Sequence, residues 1–290
     1  MFEANTKDVL YPNFQIRQHY KHTYYLQEIS SLIKRLLIQS WRRPSLILTS
    51  IFQPLLWLLM FSSLFDKAEI QPFTFTHKYQ NFISSGLIVF TTFTSALNAG
   101  LPLMFDREFG FFNRLLSSPM YSRYSIIISF SINILVNILI QLISIVYISY
   151  LKGTTLFSTN NTFIIILILF LLSNSITNIS LILAFILPGH IELLAFILAT
   201  NLPLLFSSTA LAPLSLMSSW LQILATINPL SHAIELIRYT YLNISWTFQS
   251  NIIKNHWFHL SILDITMFMI IINILSSLYI YKFISNKFED

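Results

Sequence analysis

The sequence predicts an all-α membrane protein: six transmembrane helices, an interfacial amphipathic helix before the first, and a re-entrant helical element before the last. Three observations lead there. Of 290 residues, 54% are apolar and only 10% charged, whereas ordinary soluble domains carry about 25% charged residues. Six apolar segments, at 45–65, 82–104, 125–151, 162–187, 193–212 and 260–281, hold a single charge between them, Asp264. Each approaches or exceeds the roughly 20 residues a helix needs to cross hydrocarbon, where backbone groups find partners only within the helix. This excludes a soluble enzyme, a nucleic-acid-binding domain and a β-barrel of short alternating strands. The net charge of +5 then reports topology rather than a nucleic-acid partner.

Basic residues orient the chain. The tail 1–44 carries seven, the 105–124 loop three and the end 282–290 two, against five in the intervening loops, which puts both termini on the cytosol-like side. No signal peptide is expected, because the first apolar run starts at residue 45 and has full span length; Glu3, Asp8 and Glu28 argue against an import peptide. The lack of cysteine excludes disulfides and thiolate metal sites. An excess of isoleucine over alanine, 44 against 11, is the skew of AT-rich coding found in organelle genomes and some bacteria.

The chain divides into a tail, 1–44, and one transmembrane domain, 45–290. Within the tail, Leu26, Ile29, Ile33 and Leu36 recur at spacings of three and four, while Glu28, Lys34 and Arg35 fall on other faces. This predicts an amphipathic helix over 22–41. Its aliphatic and basic faces, followed by Trp41-Arg42-Arg43-Pro44, favour the membrane surface over a solvated helix packed on a partner. Polar loops are expected at 66–81 and 152–161, and a tight turn at 188–192 joins spans four and five. The stretch 213–258 begins apolar, but 15 residues between Pro213 and Pro229 reach only about 22 Å as a helix, too short to cross. It reads as a re-entrant or interfacial element, with prolines that merely end helices as the alternative. Internal repeats are not detectable.

Catalytic signatures fail on spacing. Gly86, Gly100, Gly110, Gly153 and Gly189 fit no phosphate loop, dinucleotide turn or nucleophile elbow, so the chain is expected to bind no ATP and no other cofactor. The pairs His19/His22 and His256/His259 lack neighbouring carboxylates and read as interfacial histidines rather than metal ligands. Asp264, four residues into the sixth span, can act as a proton relay, snorkel or start the helix; its position near the interface favours the last two.

Charge is concentrated in the loop 105–123. Asp106, Arg107, Glu108, Arg114 and Arg123 stand among aromatics there, the composition of a segment that docks into a partner's groove with ion pairs setting its orientation. Span two carries Ser84, Thr91, Ser95 and Asn98 on one helical face. Such a stripe suits helix packing, substrate contact, or both at a dimer seam.

The loop residues Asp106-Arg107-Glu108, Gly110, Leu115-Leu116 and Pro119 resemble the E-R-E-x-G…L-L-x-x-P pattern of the permease subunits of ABC type-2 exporters. A second stretch is similar to the family's segment after its fifth span: Asn201, Pro203, Ser207, Ser208, Pro213, Trp220, Asn228-Pro229-Leu230 and Arg238. Two positions depart from the family pattern, Asp106 where Glu is commoner and Ser219 in place of a proline before Trp220. The resemblance implies a half-transporter, two permease chains with two separate ATPase subunits that bind ATP and Mg. The 105–123 loop, with Phe109 and Phe111 among its aromatics, would be the coupling segment; 213–239 would cap the outer side. Spans two and five would line the dimer seam, with Asn201, Ser207 and Ser208 as counterparts of the span-two stripe. An uncharged lining suits an amphipathic, apolar or lipid-linked substrate. The composition sets the chain beside permeases encoded in algal plastid genomes, with a bacterial plasma membrane as the other location. The competing reading is a membrane anchor that docks a soluble partner without transport.

Overall fold

The computed structural model describes residues 21–64, 79–118, 120–151, 162–242, 251–254 and 259–288. In chain order its helices are α1 (Lys21–Trp41), α2 (Pro44–Leu64), α3 (Tyr79–Leu97), α4 (Gly100–Glu108), α5 (Phe111–Ser117), α6 (Tyr124–Leu151), α7 (Thr162–Ile186), α8 (His190–Phe206), α9 (Ser219–Ile227), α10 (Pro229–Leu242) and α11 (Ile262–Phe288). A short antiparallel ribbon, β1 (Asn251–Lys254) with β2 (His259–Ser261), precedes α11. This ribbon is a small departure from the purely helical expectation.

Among the described residues, four helices are long and apolar enough to cross a membrane: 82–108, 124–151, 162–186 and 262–283. The first is α3 and α4 end to end. They are offset at Asn98-Ala99 because Pro102 has no N–H to offer the Asn98 carbonyl and its ring crowds that group; Leu101 N–H donates there instead, at 3.1 Å. Ser180 of α7 closes the gap. Its hydroxyl donates to the Leu97 carbonyl and accepts the Gly100 N–H at 2.9 Å. Gly100 lies so close to α7 that a Cβ there would come within 2.5 Å of the Ser180 carbonyl.

The apolar segments 47–61 of α2 and 190–206 of α8 are shorter. The fifth span expected at 193–212 does not run its full length as a helix. At 17 residues, α8 extends about 25 Å. It stops because Ser208 N–H turns back to the Leu205 carbonyl while the Ser208 hydroxyl accepts the Ala210 N–H. Hydropathy alone carries the segment through this turn.

The core centres on α7, against which α3, α4, α6, α8, α10 and α11 all pack. Its junction with α11 is polar: Asn178 donates to Ser277 Oγ at 3.1 Å, Asn174 to Asn273 Oδ1 at 3.4 Å, and Asn273 to the Leu171 carbonyl at 3.0 Å. The amphipathic helix forms as expected, but its inward face is rotated. Ile29, Leu32 and Leu36 are buried, whereas Leu26 is 61% exposed. This face packs on α6 of the same chain. Asp264 opens α11 in a reciprocal cap: its carboxylate accepts the Ser261 N–H at 3.0 Å, and its own N–H donates to Ser261 Oγ at 3.3 Å. The helix-start role is the one adopted. The loops expected at 66–81 and 152–161 lie largely or wholly outside the described residues, as do Pro119, His19 and His256.

Candidate functional site

The site comprises the last turn of α4 and the turn that leads from it into α5. Three consecutive charges there reach three different elements. Asp106 is buried and pairs with Arg35 of α1 at 2.5 Å; the same guanidinium lies 3.8 Å above the Phe111 ring. Arg107 spreads over the C-terminal end of α7, donating from one nitrogen to the Ala184 and Phe185 carbonyls at 2.8 and 3.0 Å. From the other it donates to the Leu187 and Pro188 carbonyls. These are the carbonyls that no further turn of helix can satisfy, and a cation there complements the helix dipole. Glu108 does the converse for α8. Its Oε1 accepts the His190 N–H at 2.6 Å and its Oε2 lies 2.6 Å from Nδ1 of the same residue.

Three of the five charges expected to orient a partner, Asp106, Arg107 and Glu108, are therefore occupied within the chain. Helix ends explain both Glu108 and Arg107, and α1 explains Asp106. Sequence spacing carries no sign of this, because Arg107 and Glu108 bind backbone atoms some 80 residues away and Asp106 a side chain 71 residues away.

Gly110 turns the chain from α4 into α5 at φ +74°, a left-handed conformation that glycine adopts without a Cβ penalty. The turn presents Phe109, 77% exposed, with its ring stacked on Phe105. Behind it Phe112 is buried edge-on against Phe185 of α7, and Leu115 and Leu116 pack against the core. Asn113 and Arg114 face outward. A second carboxylate steadies the far end of the loop: Glu28 of α1 accepts the Tyr121 N–H at 3.1 Å and the Ser125 hydroxyl at 2.6 Å, where α6 begins.

The proposed seam residues do not gather on one surface. Ser84, Thr91 and Ser208 are buried inside the single chain. Ser95 donates to Gln141 of α6 at 2.7 Å, Asn98 is exposed and bonds its own helix, and Asn201 is half-buried on α8. Ser207 accepts from Asn228 at 3.1 Å. Helix α3 as a whole packs against α2, α6, α7 and α10. The sequence reading overlooks the polar groups of α7 and α11, although Asn174 and Asn178 stand at the helical spacing of four.

The 213–239 region forms two helices, α9 and α10, broken at Asn228-Pro229. Asn228 holds the break against α8 by donating to the Leu204 carbonyl at 2.9 Å, and Pro229 opens α10, where its missing N–H costs nothing. Pro213 precedes a single 3-10 turn, Leu214–Leu216. Trp220 of α9 is 66% exposed. Arg238 of α10 is buried, pairs with Glu235, donates to the Thr209 carbonyl at 2.8 Å and stacks 3.6 Å from the Phe82 ring centre.

A helical bundle of this apolar character, with four helices among the described residues long enough to span, defines a polytopic membrane protein. Residues 27–242 match the family model described as ABC-2 type transporter. A protein of Porphyra purpurea that carries the name "Putative transport permease ycf38" is 51% identical over 87% of each chain. Proteins of the same name from Pyropia yezoensis and Cyanophora paradoxa are 48% and 43% identical, over 94% and 91% of each chain. The chain belongs to the ABC-2 type transporter family.

Proposed function

We propose that this chain is the membrane subunit of an ATP-driven exporter, a homodimeric permease that carries no nucleotide site and works with a separate ATPase subunit holding ATP and Mg. One observation carries the reading. The Phe109–Arg114 turn projects an exposed aromatic and a cation from a loop that is fastened at its base to α1, α7 and α8. An aromatic and an arginine on a rigid knob are the groups that dominate docking energy. Fastening to three helices lets a push on the knob move the bundle rather than bend the loop.

In this reading six helices cross the membrane, with α2 and the short α8 completing the set, and both termini lie on the ATPase side. The α9–α10 pair is re-entrant and caps the opposite side. α1 lies along the membrane surface. The uncharged lining expected from Ser84, Thr91, Ser95, Asn98, Asn201, Ser207 and Ser208 favours an amphipathic, apolar or lipid-linked substrate. The compositional skew and the algal relatives support a plastid membrane. The test is purification of the tagged protein from its native membrane in mild detergent, with stoichiometric partners identified by mass spectrometry. An ATPase subunit is expected with the wild type and lost with Phe109→Ala/Arg114→Ala. Recovery of a non-ATPase partner alone would favour the anchoring reading.

A further inference from the structure

Helix α1 has two apolar faces, and the core of the chain uses one. Ile29, Leu32 and Leu36 are buried on α6. About 100° around the helix, Leu26, Ile33, Leu37 and Trp41 make a second apolar row. Leu26 and Trp41 are exposed, Trp41 at 76%. Alongside runs Lys34, Ile38 and Arg42 at spacings of four, with both cations exposed. Apart from Leu26, these rows together with Ser30 border an open groove of about 550 Å³.

We infer that this groove seats an anionic lipid of the adjoining leaflet, its acyl chain along Ile33, Leu37 and Trp41 and its headgroup against Lys34 and Arg42. An apolar strip with cations along one side matches the two halves of such a lipid, hydrocarbon beside negative charge. Among the described residues no carboxylate lines the groove. The carboxylate of α1, Glu28, is engaged with the start of α6, and Asp106 with Arg35. A seated lipid would hold α1 at one depth while Arg35 of the same helix grips the loop through Asp106. The inference rests on the reading that α1 lies at the membrane surface, and is independent of whether an ATPase docks.

The full-length protein is reconstituted in phosphatidylcholine bilayers containing a minority of bromine-labelled lipid, either phosphatidylglycerol or phosphatidylcholine at the same mole fraction. Quenching of Trp41 is isolated by subtracting the Trp41→Phe variant. Stronger quenching by the brominated phosphatidylglycerol is expected. That preference should fall about fivefold for each charge removed in Lys34→Gln and Arg42→Gln, and survive in Lys34→Arg. Both cations are on the surface, so folding is not at stake. Equal quenching by the two lipids would overturn the inference while leaving α1 at the membrane. No quenching by either would overturn the inference and the surface reading of α1 with it.

Discussion

Glu108 and His190 face each other between α4 and α8, with Oε1 2.6 Å from the backbone nitrogen and Oε2 2.6 Å from Nδ1. The preceding residue, Arg107, covers the end of α7. One dipeptide thus closes the C-terminus of one helix and the N-terminus of the next with charges of the sign that each dipole favours. The tight turn between α7 and α8 is held from outside, by the loop that comes after α3 and α4.

Arg107→Ala should destabilise the protein by about 2–3 kcal/mol, the scale of a lost charged hydrogen-bond cluster with its acceptors left partly desolvated. Arg107→Lys should recover less than half, because an ammonium cannot span four carbonyls as a planar guanidinium does. Unfolding of the purified protein in detergent measures both.

The Glu108 cap predicts a local effect. In Glu108→Ala the amides of His190–Leu193 should exchange faster with deuterium, read by mass spectrometry, with the rest of α8 little changed. Glu108→Gln keeps an acceptor oxygen and should protect them to an intermediate degree. Unchanged exchange in Glu108→Ala would show that the first turn of α8 is held by packing alone.

The offset between α3 and α4 gives a coupled prediction. Ser180→Ala leaves the buried Leu97 carbonyl and Gly100 N–H without this partner and should cost about 1–3 kcal/mol. Adding Pro102→Ala restores an N–H for the Asn98 carbonyl and lets the helix run on, so the double variant should be less impaired than the sum of the singles. Gly100→Ala should be worse than Ser180→Ala, since the new Cβ meets the backbone of α7 rather than the end of a side chain.

Hydropathy made the helices legible, and turn chemistry made the breaks at Pro102 and Asn228-Pro229 legible in principle. The sequence spoke less clearly wherever two faces satisfied the same period. Leu26 and Leu32 both fit a stripe with Ile29 and Leu36, and only the position of α6 decides that Leu32 is inside. The 193–212 segment stayed apolar through a turn made by serine hydroxyls, so its hydropathy overstated α8. In the loop after α4, residue type drew attention to Asp106, Arg107 and Glu108, which pair with α1, α7 and α8 of the same chain. The direction of Arg107 and Glu108 depended on backbone carbonyls and an amide, which have no letter in a sequence, and that of Asp106 on an arginine 71 residues away. The Asn178 contact with α11 was legible only as a spacing, since its partners lie about a hundred residues on.

Arg238 and Glu235 offer the sharpest test of the α10 environment. The arginine side chain is 7% exposed and the glutamate 17%, and the guanidinium also serves the Thr209 carbonyl and the face of Phe82. Removing the cation alone leaves a largely buried carboxylate without its counter-charge, a change that costs about 3–5 kcal/mol in buried pairs. Arg238→Met should therefore be among the most damaging single substitutions in α10. Neutralising both, as Glu235→Gln/Arg238→Met, removes the stranded charge and should recover at least half of the loss, since a buried pair contributes little beyond compensating its own desolvation. Arg238→Lys keeps the charge but not the flat stacking on Phe82 and should fall between the two. A denaturant titration of the four proteins in one detergent separates these outcomes. If Arg238→Met lost less than about 1 kcal/mol, the level of solvent-screened surface pairs, water would have to reach this end of α10, and the site would line an aqueous cavity instead of the packed core.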